Sequence, residues 1–273
     1  MKEKTQKFVD KGNRAPGLAV VTVGDDEASH LYVKTKTEKA AYVGFVGFQY
    51  FLNGDSREDD VISLIETLNN DDKVDGILLQ LPLPSHLNEK EIIEHIRPDK
   101  DVDGFTSLNM GRMLKGEDCL IPCTPKGILT ILSHFSISTQ GKRVTVIGRS
   151  EIVGKPMAVL LMNKGCDATV SVANSKTKDL KSLTLSSDIV ISAVGKPMFL
   201  DSSYFSDGTV IIDVGINRIS DSTRKRGWRT VGDVDIDSLK DRDVFCTPVP
   251  GGVGLMTVAS LMENTFISRE RRG

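Results

Sequence analysis

Apolar positions along the chain fall into short continuous runs, separated by longer segments in which they recur every three or four residues. The runs are LAVVTVG (18–24), GFQYFL (47–52), DGILLQLP (75–82), RVTVIG (143–148), ATVSVA (168–173), DIVISAVG (188–195), TVIIDVG (209–215) and DVFCTPV (243–249). In most of them apolar residues follow one another instead of alternating, the pattern of strands covered on both faces in a parallel sheet. The segments between are of helix length. SREDDVISLIETLNN opens on Ser56 with Asp59 three residues on, in the manner of a capping box. LMTVASLMENTFI, near the C-terminus, reads as one apolar-faced helix. Strand followed by helix, repeated, predicts a doubly wound α/β architecture.

Turn formers crowd KGEDCLIPCTPKG, and a fresh helical pattern follows. A domain boundary is expected there, with a second crossing at TPVPGGVG (247–254). The expected division is residues 1–118 plus 255–273 as one domain and 119–254 as the other. The charged segment from Ser220 to Arg229 reads as a surface hairpin or loop, with Trp228 packing locally.

Composition narrows the function classes. A chain of 273 residues, 39% hydrophobic, has material for two modest cores. Its formal charge of -2 argues against nucleic acid or an anionic membrane surface as the main partner. No apolar run approaches the ~18 residues needed to cross a bilayer, and MKEKTQKFVDKG is charged where a signal peptide is greasy. A soluble, cytoplasmic protein is expected, or an organellar one if a targeting segment preceded this chain. Cys119, Cys123, Cys166 and Cys246 form no CxxC pair, and His30, His86, His95 and His134 have no zinc-site spacing, so no metal is expected.

In KRVTVIGRSEIVGKPMAVLL a strand runs into Gly148 and a helix starts near Ile152. Such a turn exposes backbone N–H groups and the positive end of a helix dipole, a setting that suits phosphate. The spacing is Gly148 then Gly154, not GxGxxG, so a dinucleotide site and a plain strand-to-helix turn both remain open on these residues. The next strand ends in Asn174, Ser175, Lys176 and Thr177, without the acid that commonly binds the NAD ribose. Arg149 with Ser175 or Lys176 could instead meet a 2′-phosphate, which favours NADP; the bland alternative is a pair of solvated loop cations.

Three further segments place polar residues where strands end. DGILLQLPLP sets Gln80 at the end of a buried strand, where an amide needs partners. PDKDVDGF holds Asp99, Asp101 and Asp103 beside Gly104; Asp101 and Asp103 are either turn-capping acids or, in one case, an anchor for a polar heterocycle. TPVPGGVG is a side-chain-poor loop, either a tight turn or a surface for a flat ligand. In SHLYVKTKTEKAAYVGF, Tyr32 and Lys36 share a helical face that Lys39 borders, while Lys34 lies about 160° from Tyr32 and points away. Helical spacing alone leaves Lys36 and Lys39 comparable.

SxxYVxxK (Ser29, Tyr32, Val33, Lys36), QLPLP (80–84), PDKDVDGF (98–105), PCTPKG (122–127), GRSEIVGKP (148–156), DVGIN (213–217), GDVD (232–235) and TPVPGGVG occur in order. In these motifs, and over almost its whole length, the chain resembles the bifunctional methylenetetrahydrofolate dehydrogenase/methenyltetrahydrofolate cyclohydrolase (FolD) family. The resemblance implies an N-terminal α/β folate-binding domain, a C-terminal Rossmann-like NADP-binding domain, a cleft between them, and a homodimer. It implies NADP-dependent oxidation of 5,10-methylenetetrahydrofolate and hydrolysis of the methenyl product to 10-formyltetrahydrofolate, in one-carbon metabolism and purine biosynthesis. By motif position, Lys36 becomes the catalytic lysine, Tyr32 stacks near the pterin, Gln80 supports the lysine and Asp103 anchors the pterin. Leu81, Pro82, Pro250, Gly251 and Gly252 line the folate site; Gly148, Arg149, Ser150, Ile152, Ser175 and Ile216 take the cofactor. A protonated lysine beside the methenyl cation would oppose the oxidation, so partial burial that favours a neutral amine would suit the chemistry.

The chain departs from the family in three places. Members usually have a short strand and a helix ahead of the RAPGLAV strand, and MKEKTQKFVDKG matches the later part of that helix. Leu255 stands where the family has proline, and Asn174 where it often has histidine. Two other readings remain: a monofunctional dehydrogenase, and a folate- or nucleotide-binding paralogue without turnover.

Overall fold

The structure, a computed structural model, describes residues 1–25, 27–224 and 226–273; for residues 27–32 it describes the backbone alone. The chain forms two compact units, Met1–Arg112 with Asp118–Cys123 and Val258–Gly273, and Met113–Glu117 with Thr124–Thr257.

In chain order the first unit contains α1 (Lys2–Val9), β1 (Gly17–Val23), α2 (Glu27–Tyr42), β2 (Val46–Leu52), α3 (Glu58–Asn70), β3 (Gly76–Leu79), α4 (Glu89–Glu94) and most of α5 (Ser107–Lys115). Its strands form a parallel sheet in the order β2-β1-β3. Every residue of β1 is buried, because both faces of the central strand are covered. Leu18 and Val20 face one side, with Val33 and Ala40 of α2 and the C-terminal helix residues Leu261, Met262 and Phe266. Ala19 and Val21 face the other, with Val61, Ile65 and Leu68 of α3 and Ile92 of α4. Each buried Val, Leu, Ile, Met or Phe among these contributes about 1.5–3 kcal/mol relative to exposure. The period-2 pleat thus explains why an unbroken apolar run makes a strand rather than a helix here.

Helix α3 starts one residue later than the Ser56–Asp59 spacing suggests. Asp60 accepts from the backbone N–H of Arg57 at 3.2 Å and from its guanidinium at 3.1 Å, so Arg57 occupies the cap position. An acid that can satisfy backbone and side chain of the same residue outcompetes the Ser56 arrangement.

After α6 (Cys123–His134), the second unit contains β4 (Arg143–Ile147), α7 (Gly154–Met162), β5 (Thr169–Ala173), α8 (Leu180–Leu185), β6 (Ile189–Ser192), β7 (Val210–Asp213), β8 (Asn217–Ser220), β9 (Trp228–Val231) and β10 (Phe245–Cys246). The last helix, α9 (Val253–Arg271), follows. A five-stranded parallel sheet runs β10-β7-β6-β4-β5, with Ile147, Val190 and Ile211 in its core. Strands β8 and β9 pair as an antiparallel hairpin, where the Arg218 and Arg226 guanidinium groups lie 4.4 and 5.4 Å from the Trp228 ring. All eight apolar runs are strands of the two parallel sheets.

Candidate active site

In the first unit, α2 presents Lys36 toward the end of β3. Lys36 Nζ donates to Gln80 Oε1 at 3.0 Å, and Gln80 Nε2 donates to the Leu81 carbonyl at 2.7 Å. Gln80 is 9% exposed, and its backbone N–H still pairs with Val21 at 2.9 Å, so the sheet fixes the amide's origin while the amide fixes the lysine. Lys34, on the opposite side, forms a 4.0 Å solvent ion pair with Glu38, and Lys39 is exposed with its ammonium 5.9 Å from the Tyr42 ring. Tyr32 lies on the same helix, but its side chain is outside the described residues.

The three aspartates of PDKDVDGF separate by environment. Asp99 pairs with the Arg97 guanidinium at 2.8 Å. Asp101 accepts from the backbone N–H groups of Gly104, Phe105 and Thr106 at 2.9, 3.1 and 2.8 Å and from Asn109 Nδ2 at 2.9 Å, so it is the turn-capping acid. Asp103 is held by neither set. Burial pushes its carboxyl up to about 6, nearby Lys36 opposes that shift, Asp101 adds to it, and Cys123 opposes it weakly; the Cys123 thiol itself donates to the Val102 carbonyl at 3.2 Å. Asp103 also borders a small apolar recess with Leu81, Ile77, Leu79 and Phe105. Lys36, Gln80, Leu81 and Asp103 therefore belong to one neighbourhood of the first unit, with Pro82 following through a cis peptide bond.

Lys100, from the same motif, is 1% exposed and donates to the Leu68 and Asp71 carbonyls at 2.9 and 2.8 Å. It caps the C-terminal end of α3, where unpaired carbonyls favour a cation, although burial lowers its pKa to about 8.

The second unit positions the other group of residues at the carboxyl ends of its strands. Gly148, at the end of β4, has φ +126°, and a Cβ there would overlap the Ala193 carbonyl; one at Gly154 would overlap Gly148 itself. The two glycines thus let three backbone segments meet closely, although their spacing departs from GxGxxG. Ser150 Oγ accepts from the Val153 and Gly154 N–H groups at 3.1 and 3.3 Å, capping the entry to α7. Arg149, Ser175 and Lys176 are exposed at the ends of β4 and β5, and the apolar Ile152 (41%), before α7, and Ile216 (54%), after β7, are exposed as well. Pro250, Gly251 and Gly252 belong to this unit, after a cis bond between Val249 and Pro250.

Sheet order β5-β4-β6 reverses direction at β4, so the crevice of this doubly wound unit opens at the ends of β4 and β6. The fold and this crevice, together with the Lys36–Gln80–Asp103 cluster, define a two-unit α/β enzyme of the nucleotide-dependent dehydrogenase class. Residues 1–103 match the tetrahydrofolate dehydrogenase/cyclohydrolase catalytic domain, and residues 122–273 match the NAD(P)-binding domain of the same name. The chain belongs to the tetrahydrofolate dehydrogenase/cyclohydrolase family. It is 45% identical over 272 residues to a bifunctional protein FolD of Campylobacter hominis, covering 100% of this chain and 93% of that one. The solved bifunctional FolD of Campylobacter jejuni superposes with a TM-score of 0.94 at 43% identity, over 100% of this chain and 94% of that one. The Trypanosoma brucei dehydrogenase-cyclohydrolase, solved with NADP cofactor and inhibitor, superposes with a TM-score of 0.93 at 34% identity, over 99% and 92%.

Two features of the site escaped the motifs. Cys123 of PCTPKG is buried beside Asp103, and its thiol donates to the Val102 carbonyl at 3.2 Å. Asp233 of GDVD gathers three backbone N–H groups from the loop after β6 and the Asn217 side-chain amide from beyond β7.

Proposed function

We propose that the chain oxidises 5,10-methylenetetrahydrofolate with NADP+ and hydrolyses the methenyl product to 10-formyltetrahydrofolate, with Lys36, Gln80, Asp103 and Tyr32 as its working residues. The observation that carries this reading is the 3.0 Å contact from Lys36 Nζ to a buried, neutral amide. Gln80 orients the amine without adding a negative charge that would hold a proton on it. Asp103, ionised above about pH 6, can accept hydrogen bonds from the pterin's amino and ring N–H groups. Water attacks the methenyl carbon, and Lys36 takes the proton that the water loses; the bond from that carbon to N5 then breaks, and the proton returns to N5.

The residues at the ends of β4 and β5 suit NADP. Exposed Arg149, Ser175 and Lys176 supply donors for a 2′-phosphate, and no acid stands among residues 174–178 directly after β5 to repel it. Gly148, Ser150, Ile152 and Ile216 complete that set, with the apolar pair available to a flat ring. Bound NADP+ supplies the acceptor for the hydride of the methylene carbon. Leu81, Pro82, Pro250, Gly251 and Gly252 are assigned to folate, residues 1–118 plus 255–273 to its domain, and 119–254 to the cofactor's.

We further propose a homodimer working in the cytoplasm. The outer edge of β5, which no described strand covers, with Val172 44% exposed, supports self-association, and four cysteines outside any disulfide suit a reducing compartment. One set of measurements tests the function. NADPH should accumulate from 5,10-methylenetetrahydrofolate, with NAD+ a poorer acceptor, and added methenyltetrahydrofolate should lose its absorbance faster than in buffer. NADPH formation without accelerated methenyl decay would establish a monofunctional dehydrogenase; the absence of both signals would overturn the reading. Light scattering that returns a monomer mass would overturn the dimer.

A further inference from the structure

We infer that Asp233 is the positioning residue that sets the cofactor crevice, acting through the loops after β6 and β7; the inference rests on the function proposed above. Asp233 is fully buried. Its Oδ2 accepts from the Val194 N–H at 2.7 Å, the Gly195 N–H at 3.2 Å and the Ser192 hydroxyl at 3.2 Å. Its Oδ1 accepts from the Lys196 N–H and from Asn217 Nδ2, both at 3.0 Å. A single carboxylate therefore takes five donors, four from the end of β6 and the loop beyond it, and one from the residue that follows Ile216.

Position gives that arrangement its consequence. The loop after β6 forms one wall of the crevice at the sheet's reversal point, and its Ala193 carbonyl packs where a Cβ of Gly148 would stand. Fixing residues 194–196 fixes the partner of the glycine turn. Three successive N–H groups turned inward onto a carboxylate also leave their peptide carbonyls to face elsewhere, which settles what the crevice wall offers a ligand.

Asp233 is itself held by a second carboxylate. Asp213, 3% exposed, accepts from the N–H groups of Gly215, Asp233 and Val234, each at 2.9 Å. A Cβ on Gly215 would collide with the Asp233 carboxyl, and one on Gly232 with the Asp213 carboxyl. The DVGIN and GDVD motifs are thus two halves of one device, in which each glycine makes room for the other motif's acid. Burial raises the pKa of Asp213, and the backbone donors oppose that shift.

Asp233→Asn tests the assignment. An amide of the same shape turns its NH2 against N–H donors on one side or the other, whichever way it is placed. The KM for NADP+ and the fluorescence-measured Kd for NADPH should each rise at least tenfold, with methenyl hydrolysis kept within twofold of wild type. A variant that lost stability alone would lower both activities together. Asn217→Ala and Ser192→Ala each remove one donor and should raise the KM for NADP+ about threefold, so they provide the test if Asp233→Asn does not fold. Unchanged cofactor KM and Kd in the folded variants, with an active wild type, would overturn the role of Asp233. An inactive wild type would instead overturn the proposed function.

Discussion

Replacing Gln80 with methionine isolates the contact on which the catalytic reading stands. Methionine keeps the length and volume of the side chain in a site only 9% exposed, so the core around it is retained. What disappears is the 3.0 Å acceptor for Lys36 Nζ and the 2.7 Å donor to the Leu81 carbonyl. The first is a hydrogen bond in which a charged or reacting amine is one partner, worth about 1.5–3 kcal/mol. At about 1.4 kcal/mol per factor of ten, the cyclohydrolase kcat should fall roughly 10- to 150-fold. The second is a neutral bond whose loss should cost about 1 kcal/mol of stability. The assay is methenyl absorbance decay at saturating substrate, beside NADPH formation and a thermal melt. Because the amine's placement matters most where it handles a proton, the dehydrogenase rate should fall less. Gln80→Glu should also depress hydrolysis, by pairing with Lys36 as an ion pair and holding its proton. Hydrolysis by Gln80→Met within twofold of wild type, with the fold intact, would refute the orienting role.

Asp103 should govern pH dependence: kcat/KM for methylenetetrahydrofolate should rise with pH through about 6 and then level, and Asp103→Asn should flatten that profile at a low value. The same shift has a stability sign. An unfolded Asp titrates near 3.9, so between that pH and about 6 the native state holds the extra proton and stability falls as pH rises, by up to about 3 kcal/mol. Asp103→Asn should therefore melt higher than wild type at pH 7.5 while losing activity; a lower melt would contradict the burial argument. Arg149→Ala should raise the KM for NADP+ about tenfold and leave that for NAD+ nearly unchanged, and equal effects on both would remove Arg149 from the 2′-phosphate. Asp75 is fully buried against the Arg14 and Arg272 guanidinium groups and the Gly17 N–H, so Asp75→Ala should cost about 3 kcal/mol and lower Tm by roughly 6–10 °C; a shift below 2 °C would show the network to be dispensable.

The inner strands were legible because burial on both faces leaves an unbroken apolar run, as in GLAVVTV, whereas the edge strands β2 and β5 keep apolar runs while partly exposed. The cap of α3 was misplaced by one residue because Ser56 has the cap chemistry, while Asp60 satisfies Arg57 through both backbone and guanidinium, which no spacing rule contains. Helical periodicity could reject Lys34 but not separate Lys36 from Lys39; a residue on another element, Gln80, distinguishes them. The acids of PDKDVDGF look alike in sequence, and differ only in that the chain folds three N–H groups back onto Asp101 and none of those onto Asp103. Asp233 was least legible. Its partners are mostly backbone groups 37 to 39 residues away, which carry no residue signature.

The central claim is that Lys36 moves the proton in methenyl hydrolysis. Lys36→Met, purified and folded, tests it directly through the decay of methenyltetrahydrofolate absorbance, corrected for hydrolysis in buffer. The account predicts that enzyme-dependent decay is abolished while NADPH formation from methylenetetrahydrofolate is impaired less. Full methenyl hydrolysis by Lys36→Met would contradict it.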